Sequence, residues 1–459
     1  MRNSILIITL SLCLAACATT PPPEPGADSP VPPPDAWNSG NDSAVMPWST
    51  DVEDVRLRDL VAQALAQNFD LQAVVARVDA ARARSRIVGA DLAPQLDIEY
   101  RGSRTKREET NGAGALENPL TRQSLGVELA WELDVWSRLR ASSRAAIADY
   151  QAAEKDLAAA RLLLAANIAR AWFDAVEADQ QVMLAENTLK SFRSSLNIIE
   201  QRFQRGIGSA LDVRLARGNV ATAEANLYLT QGGRDAAIRN LKVLAGTYPD
   251  TGIALAERLP QFTSRVPAGL PSELLLRRPD LSADRWRVLA NSELVKSSKK
   301  QLFPRFVLTG GAGTASGTLV DLLEWDRLIW NLAGSIIQPI FQGGRIRANI
   351  DLATANENEA LALYAQTVLD AFKEVESALA SEHFLTLQER ALLSSVKEQK
   401  AALQLAQQQY EGGLVGIITL LETQRRAFNA ESAWLNTLNR KLQNRINLHL
   451  ALGGDFYSL

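Results

Sequence analysis

The sequence has few of the residues that build metal centres, disulfide frameworks and nucleophilic active sites. Among its 459 residues are two cysteines, Cys13 and Cys17, and two histidines, His383 and His449. Two thiols near one terminus cannot form a disulfide framework. The sequence also lacks a Walker loop, a GxSxG motif and an HExxH motif. We therefore expect no catalytic residues, no metal site and no cofactor, so the protein is not expected to be an enzyme.

The sequence also lacks an excess of positive charge and a long apolar segment. Lys and Arg total 49 against 52 for Asp and Glu, which leaves a formal charge of -3 and argues against nucleic acid as a partner. Its clearest apolar run, Ile5 to Leu14, has about ten residues, whereas a membrane-spanning helix needs about 20. We expect no transmembrane helix.

The N-terminus has the features of an export signal. Arg2 precedes the apolar run, and small residues close it, so residues 1–16 are predicted to be a signal peptide. The sequence Leu14-Ala-Ala-Cys17 resembles a bacterial lipobox, which implies a covalent lipid on Cys17; the alternative is an ordinary signal with an incidental cysteine. Ala18, rather than Asp, follows, which for a lipoprotein implies the outer membrane. Residues 17–50 are predicted to be a lipid anchor and Pro-rich tether without a core.

The rest of the chain is an internal tandem repeat. The segment Trp131–Ala141 (WELDVWSRLRA) aligns with Gln338–Ala348 (QPIFQGGRIRA), 207 positions later. Nearer the N-terminus the offset is 210, which pairs Leu65 with Leu275. We therefore divide the chain into a first repeat at 51–250, a linker at 251–270 and a second repeat at 271–459.

Each repeat contains two predicted strands, because apolar residues alternate with small or charged ones. Four tilted strands of about ten residues would each be long enough to cross a bilayer. Four strands cannot close a barrel alone, so copies must join to satisfy the strand edges in lipid. Glycine-rich, polar segments between paired strands are predicted to be loops, and the one at 310–326 includes Gly311 and Gly313. The predicted strands lie at about 92–103, 122–133, 304–310 and 329–340.

Long helices follow the strands. Arg138 to Arg205 contains no proline or glycine over 68 residues, which as a helix would reach roughly 100 Å. Glycines end each long helix, and a shorter helix returns, so helical hairpins are predicted at about 138–245 and 344–452. Heptad spacing near the first turn indicates a supercoiled seam. Its apolar positions are Leu189, Phe192, Leu196, Ile199 and Phe203.

Three segments together resemble the TolC-type outer-membrane factors, in particular the NodT-like lipoproteins of resistance-nodulation-division efflux pumps. They are the segment from Leu270 to Leu281 (LPSELLLRRPDL), the WELDVWSRLRA block and PIFQGGRIRA. The resemblance implies an α+β membrane protein whose homotrimer combines a twelve-stranded β-barrel in the bacterial outer membrane with a coiled-coil α-barrel tunnel in the periplasm. It also implies a passive exit duct of a tripartite efflux system. The implied partners are a periplasmic adaptor, an inner-membrane pump and outer-membrane lipid.

The resemblance also places a gate at the periplasmic tip, where the two helical turns meet. By alignment, Tyr410, Asp212 and Glu422 match gate positions, whereas Thr419 stands where many relatives have aspartate. The alternatives remain open: Ser209-x-x-Asp212 also matches a helix capping box, and Glu422 could be a solvated charge. The tip turns are candidates for adaptor docking. Their glycines are Gly206, Gly208, Gly412 and Gly413.

Two other functions are compatible with parts of the sequence. An outer-membrane duct for type I protein secretion would share the same architecture. A periplasmic coiled-coil adaptor lipoprotein would share the lipobox and long helices, but would not need two strand hairpins of bilayer length. Arg277-Arg278-Pro279-Asp280 could bind phosphate, but Pro279 suits a helix start, so a structural role is favoured.

Overall fold

The computed structural model describes five stretches of the chain. Cys17 and the signal peptide lie outside the described residues, as do most of the predicted tether and residues 261–270 of the predicted linker. The chain forms two compact units: Arg77–Glu154 and Ala283–Tyr364 belong to one, and Lys155–Ser282 and Ala365–Leu459 to the other. The described stretches are residues 21–26, 29–38, 54–106, 120–260 and 271–454.

The elements follow one order in both halves: a pair of short helices, two strands, a long helix and a returning helix. Two short 3-10 segments lie between β3 and β4. The first half has α1 Val55–Gln67, α2 Phe69–Ala90, β1 Gln95–Thr105, β2 Leu120–Leu133, α3 Arg138–Gln204 and α4 Ala210–Leu244. The second half has α5 Pro271–Arg277, α6 Pro279–Lys300, β3 Arg305–Ser316, β4 Ile329–Ile337, α7 Arg345–Glu411 and α8 Ile417–Ala451.

All four strands form one antiparallel sheet in the order β1-β2-β3-β4. Leu96, Ile98 and Tyr100 of β1 lie opposite Leu129, Val127 and Leu125 of β2, so the apolar residues of both strands share a face. Charged residues of the same strands lie on the opposite face. The predicted alternation therefore describes a sheet with one apolar and one polar side.

The predicted end of the third strand, at 310, is wrong, because β3 continues to Ser316. Gly311 and Gly313, predicted to be in a loop, lie in the β2–β3 ladder opposite Glu128 and Gly126. A Cβ atom at Gly313 would lie 2.5 Å from a carbonyl oxygen of β2. Glycine there reflects a close approach of two backbones rather than a turn.

The other strand boundaries differ by a few residues. β1 begins at Gln95 rather than near 92, because a turn and Pro94 follow α2. β4 ends at Ile337 rather than 340, and Pro339, which has no N–H, follows it. β2 begins at Leu120, two residues before the predicted start.

The long helices α3 and α7 each have 67 residues without a break. Asp134 caps the start of α3, where its carboxylate accepts the N–H groups of Leu139 and Arg140, each at 2.9 Å. The main core of the second unit includes many alanines of α3, which allow close approach of neighbouring helices. Its largest fully buried aromatic side chains are Trp172 and Phe173.

The predicted structural role of the Arg-Arg-Pro-Asp segment is confirmed. Arg278 is buried and donates hydrogen bonds to Asp280 at 2.7 Å and Glu374 at 2.6 Å. It also donates to the carbonyl oxygen of Ala451 at 3.2 Å. These contacts join α6, α7 and α8 through residues of the second unit, so the guanidinium is engaged within the fold.

The prediction that the tether contributes no core is wrong for its described part. Trp37 is 5% exposed and packs edge-on against Phe372, with ring centroids 6.1 Å apart. The backbone N–H of Asn38 donates to Glu376 at 2.7 Å. Burial of the Trp37 indole stabilises these contacts and holds the extended segment on the surface of α7.

The described stretches contain neither a membrane-spanning helix nor a cluster of metal-binding side chains. None of their helices is long and apolar enough to cross a membrane. No group of three or more histidine, cysteine or carboxylate residues is arranged there to hold a metal ion.

Candidate functional site

The two hairpin tips of the second unit are built on equivalent left-handed glycines. Gly206 has a φ of 76° and Gly413 a φ of 72°. After each, a backbone N–H turns back to the long helix: Ile207 donates to the carbonyl oxygen of Arg202 at 3.0 Å, and Leu414 to that of Gln409 at 2.8 Å. Glycine accepts this conformation without the strain that a Cβ atom would add.

The other two predicted tip glycines have different roles. Gly412 does not have a positive φ, so Gly413 is the counterpart of Gly206 in the repeat. At Gly208, a Cβ atom would lie 3.1 Å from the backbone nitrogen of Phe203. Glycine at 208 therefore allows the first turn to pack closely against the end of α3.

Asp212 forms a complete capping box at the start of α4. The backbone N–H of Ser209 donates to Asp212 at 3.1 Å, and the N–H of Asp212 donates to the hydroxyl of Ser209 at 3.1 Å. Two amides that would otherwise lack partners at the helix start are thus bonded. The capping role considered from the sequence is present in the structure.

The second repeat lacks this cap. Gly416 stands at the start of α8 and makes no side-chain capping bond, and Thr419, the counterpart of Asp212, is exposed. The difference between aspartate and threonine therefore distinguishes a capped helix start from an uncapped one. The two tips have similar turns, but only the returning helix of the first has a side-chain cap.

Tyr410 is buried in the apolar cluster at the tips and lies against Arg202 of the other hairpin. The Arg202 guanidinium carbon is 5.0 Å from the Tyr410 ring centroid. Arg202 also donates to the backbone carbonyls of Tyr410 at 3.0 Å and Glu411 at 3.1 Å. Burial raises the pKa of Tyr410, the nearby charge of Arg202 opposes that shift, and the charge of Asp212 adds to it.

Glu422 is held by two arginines of its own helix. Arg425 and Arg426 each donate to its carboxylate at 2.8 Å. Hydrogen bonds from Arg426 and Arg425 lower the pKa of Glu422. The contacts that the structure assigns to this carboxylate therefore lie within α8 rather than in a cluster with Asp212 and Tyr410.

Behind the tips, Gln424 forms a polar contact within an apolar interface. Its side-chain nitrogen donates to the hydroxyls of Ser195 at 2.8 Å and Ser191 at 3.1 Å across the α3–α8 seam. Its carbonyl oxygen is buried and has no hydrogen-bond partner among the described residues. An unpaired buried acceptor weakens the packing of the two helices.

The sequence did not identify Arg202 or Gln424 as part of this region. Arg202 could have been noticed as a basic residue in the last turn of a helix, where cations interact favourably with free carbonyls. Gln424 carries no comparable signal, because its environment depends on how α8 packs against α3. The predicted apolar seam also included Phe203, but this ring is exposed.

Each of the two repeats matches the same protein family. Residues 60–247 and 270–454 match the outer membrane efflux protein family. The chain belongs to this family. The TolC-type resemblance inferred from the sequence is thereby confirmed.

The efflux-family relatives include curated proteins of similar length. The chain is 32% identical to the outer membrane protein OprJ of Pseudomonas aeruginosa, over 98% of this chain and 95% of OprJ. It is 31% identical to the toluene efflux pump outer membrane protein TtgF of Pseudomonas putida, over 99% and 98% of the two chains. It is also 31% identical to the cation efflux system protein CusC of Escherichia coli, over 89% and 88%.

Solved structures of efflux-family channels share the fold. A crystal structure of CusC has a TM-score of 0.84 at 29% identity and covers 95% of this chain and 99% of the other. The outer-membrane channel OprN has a TM-score of 0.85 at 28% identity, covering 95% and 99%. The protein is therefore an outer-membrane efflux channel, and the predicted fold of a trimeric barrel with a helical tunnel in the periplasm is confirmed.

Proposed function

We propose that this channel is the homotrimeric exit duct of a tripartite efflux system and binds a periplasmic adaptor through its hairpin tips. The observation that carries the proposal is a pair of exposed apolar side chains at equivalent positions of each tip. Ile207 and Leu211 flank the first turn, Leu414 and Ile418 occupy the equivalent positions at the second, and all four side chains are exposed. Large apolar side chains grouped at a protein surface favour a site of protein contact.

The repetition of this exposed apolar surface favours one kind of partner. Because the exposed pairs are related by the internal repeat, each hairpin offers a similar surface. A trimer would present six such surfaces to copies of a single adaptor. The turn glycines Gly206, Gly208, Gly412 and Gly413 add no side chain between these apolar residues.

Substitution at one tip tests adaptor docking. Leu414→Ser removes a side chain that is 78% exposed, so it should leave folding unchanged but lower efflux in a strain lacking the native gene. Tyr248→Ser, at an exposed aromatic outside the tips, is the matched control. Normal drug or solvent tolerance in a strain carrying Leu414→Ser, with a normal amount of the variant in the outer membrane, would count against docking at this turn.

A gate at the same tips is the second part of the proposal. Arg202 joins the end of α3 to the end of α7, which supports a closed arrangement to which Tyr410, Asp212, Thr419 and Glu422 contribute. Replacing both Asp212 and Glu422 with alanine should raise the conductance of the closed channel in planar bilayers. An unchanged closed-state conductance would remove these carboxylates from the gate.

We also propose that Cys17 carries the lipid that anchors the chain to the outer membrane. The lipobox-like sequence Leu14-Ala-Ala-Cys17 supports this modification. Cys17→Ser should abolish labelling by radioactive palmitate, and Cys13→Ser should leave the mature protein labelled. Palmitate labelling that persists in Cys17→Ser would contradict the assignment.

We propose that the inner-membrane pump, rather than this duct, selects the substrate. Two relatives at 31% identity are named for toluene and for cations. Similar ducts thus serve chemically unlike substrates. Pairing this duct with two different pumps in one strain should give two tolerance spectra that follow the pump, whereas one unchanging spectrum would assign selection to the duct.

A further inference from the structure

The two turns that lead from a helix into the sheet differ in charge, although the repeat relates them. Residues 89–95 (GADLAPQ) connect α2 to β1 and contain one carboxylate and no cation. The equivalent residues 299–305 (KKQLFPR) connect α6 to β3 and contain three cations and no carboxylate. Lys300 donates to a backbone carbonyl oxygen at 3.1 Å. Lys299 and Arg305 are exposed and form no ion pair with any described residue.

The segments that lead from the sheet into the long helices differ in the same direction. In the first repeat, Arg138 donates to the carboxylate of Glu132 at 2.8 Å. The offset of 207 converts Arg138 into Arg345 but converts Glu132 into Pro339. Arg345 is exposed, and its one hydrogen bond, at 2.8 Å, is to the neutral side chain of Gln342. The second repeat therefore keeps the cation and replaces its anionic partner.

The next arginine along each long helix has undergone the same change. Arg140 lies 3.9 Å from the carboxylate of Asp134 in the first repeat. The equivalent residues of the second repeat are Arg347 and Phe341, and Arg347 is exposed without an ion pair to any described residue. Phe341 is 87% exposed, so an apolar ring stands where the first repeat has a charge. We call the four exposed cations of the second repeat the basic edge: Lys299, Arg305, Arg345 and Arg347.

The two segments that carry the basic edge lie side by side at one end of the sheet. The side chain of Gln338 donates to the carbonyl oxygen of Leu302 at 3.1 Å, and that of Asn349 donates to the side chain of Gln301 at 3.4 Å. Arg305 is the first residue of β3 and pairs with the last residue of β4. This end of the sheet leads into the helices, so in an outer-membrane efflux channel it is the periplasmic end.

The apolar face of the sheet continues to the same edge. Phe306 lies on that face opposite Leu133, and the Trp136 ring centroid is 6.4 Å from that of Phe306 and 5.2 Å from that of Phe303. The indole N–H of Trp136 donates to the carbonyl oxygen of Pro304 at 2.9 Å. Trp136 and Phe303 are nevertheless 42% and 47% exposed. Aromatic side chains are enriched where hydrocarbon meets lipid headgroups, so the basic edge lies at headgroup level.

We propose that the basic edge binds the phosphate of an anionic phospholipid in the periplasmic leaflet of the outer membrane, while Phe303 and Trp136 contact its acyl chains. Arginine can bind two oxygens of one phosphate, and lysine adds a further positive charge. A zwitterionic headgroup would bring its own cation to residues 299–305 and 339–347, which contain no carboxylate. A lipid with net negative charge is therefore favoured. This inference rests on the outer-membrane location of the family and not on the proposed exit-duct activity.

Binding of a fluorescent phosphatidylglycerol to the full-length channel in neutral detergent tests the proposal. Phosphatidylcholine with the same fluorophore is the reference lipid, and the unaltered channel should bind phosphatidylglycerol more tightly. Replacing all four cations of the basic edge with glutamine should weaken phosphatidylglycerol binding at least about tenfold, because each cation near an anionic headgroup contributes up to about fivefold in affinity. Binding of phosphatidylcholine should change little. Added salt should reduce the preference of the unaltered channel, because it screens exposed charges.

The matched control removes the same number of lysines and arginines at other exposed sites. The combined substitutions Arg214→Gln, Arg258→Gln, Arg390→Gln and Lys397→Gln change the net charge equally and should leave phosphatidylglycerol binding intact. Equal losses in both fourfold variants would show a general attraction to the charge of the whole protein and would overturn a local site. Equal binding of the two lipids by the unaltered channel would also overturn it.

Gel filtration of the same samples separates lipid binding from assembly. The fourfold variant of the basic edge should assemble as the unaltered chain does, because its side chains are exposed. Loss of assembly would place these cations at a contact between copies and count against the lipid site. Arg345→Gln alone, which removes only an exposed bond to Gln342, keeps the proposal testable in that case and should lower phosphatidylglycerol affinity by up to about fivefold.

Antibiotic tolerance of cells that carry each variant distinguishes this proposal from the exit-duct function. Selective phosphatidylglycerol binding by a channel that restores no tolerance would count against the duct and leave the lipid site standing. Normal tolerance in cells that carry the unaltered channel, together with unchanged phosphatidylglycerol binding by the fourfold variant of the basic edge, would overturn the lipid site and leave the duct standing.

Discussion

The side chain of Asn68 donates a hydrogen bond of 2.9 Å to the carbonyl oxygen of Leu244, at the end of α4. In the second repeat, Arg278 occupies the position of Asn68 and donates to Ala451, the counterpart of Leu244. Both bonds satisfy a carbonyl that the helix itself leaves free. The repeat therefore preserves this bond while the residue that makes it changes.

The two halves differ in how they use this position. Asn68 also accepts the N–H of Leu71 at 2.9 Å, so one amide caps the start of α2 as well as the end of α4. In the second half, Arg278 only donates, and Asp280 accepts the N–H of Leu281 at 2.9 Å. Two charged residues thus perform the functions of one amide, and the attraction between them further stabilises the contact. We call this contact between the helix start and the end of the returning helix the joint; it is formed by Asn68 in the first repeat and by Arg278 with Asp280 in the second.

Loss of the Asn68 amide should destabilise the first repeat. Asn68→Ala removes two hydrogen bonds and leaves the partly buried carbonyl of Leu244 without this partner, which should lower the free energy of unfolding by about 2 kcal/mol. Gln63→Ala, which removes an exposed bond to Gln67, is the control and should change stability little. Thermal unfolding in detergent measures both, and equal melting temperatures would contradict a role for the joint.

Close backbone packing beside this joint makes Gly246 sensitive to substitution. It has a φ of 74°, and a Cβ atom there would lie 2.7 Å from the carbonyl oxygen of Gln67. Gly246→Ala should therefore lower the melting temperature more than Gly206→Ala, which meets the same backbone strain but no neighbouring atom within 4 Å. Equal shifts in thermal unfolding would show that the contact with Gln67 contributes nothing.

The ion pair of Arg278 and Asp280 should make stability depend on pH. Burial acts to raise the pKa of Asp280, but the hydrogen bonds and charge of Arg278 hold it below the ordinary value of 3.8. Because the folded pKa is lowered, the stabilising contribution is present above that ordinary value and is lost as pH falls through the folded pKa.

Asp280→Asn tests this pH dependence. At neutral pH the substitution should destabilise the protein by about 2 kcal/mol, and the difference from the unaltered chain should shrink as pH falls below the ordinary Asp pKa of 3.8. Glu273→Gln, at an exposed pair with Arg277, should cost less than about 1 kcal/mol at either pH. An Asp280→Asn deficit that stays constant with pH would exclude the ion pair as its cause.

Much of the fold was predictable because its signals are local and repeated. An unbroken run without proline or glycine predicted α3, and alternation of apolar residues predicted the position and faces of β1 and β2. The repeat then transferred both predictions to the second half. The class of α+β membrane protein follows from these elements and is confirmed by the family.

Features that depend on contacts between distant segments were not predictable. Gly311 and Gly313 resembled a loop because glycine composition does not distinguish a turn from a close strand pair. Trp37 lies in a proline-rich segment whose composition is typical of a tether, and its burial depends on Phe372 more than 300 positions away. The partners of Arg202 and Gln424 likewise belong to the other hairpin.

The two roles of Asp212 can be separated by its capping partner. If the carboxylate only caps α4, Ser209→Ala and Asp212→Ala should have similar effects, each lowering stability by about 1 kcal/mol. If it also closes the channel, Asp212→Ala alone should raise closed-state conductance in planar bilayers. Equal conductance in both variants would restrict Asp212 to capping.

The partly unsatisfied Gln424 should let α8 separate from α3 more easily than an apolar residue would. Gln424→Leu combined with Ser191→Ala and Ser195→Ala removes the unpaired acceptor together with the two hydroxyls that accept from the Gln424 nitrogen, so the change should be neutral or stabilising. Gln424→Ala alone should instead destabilise the protein by about 2 kcal/mol, because it creates a cavity and leaves two hydroxyls without this partner. If separation of these helices accompanies opening, the triple variant should also show a smaller open fraction in planar bilayers. A triple variant that melts well below the unaltered chain would show that the Gln424 contact stabilises the seam.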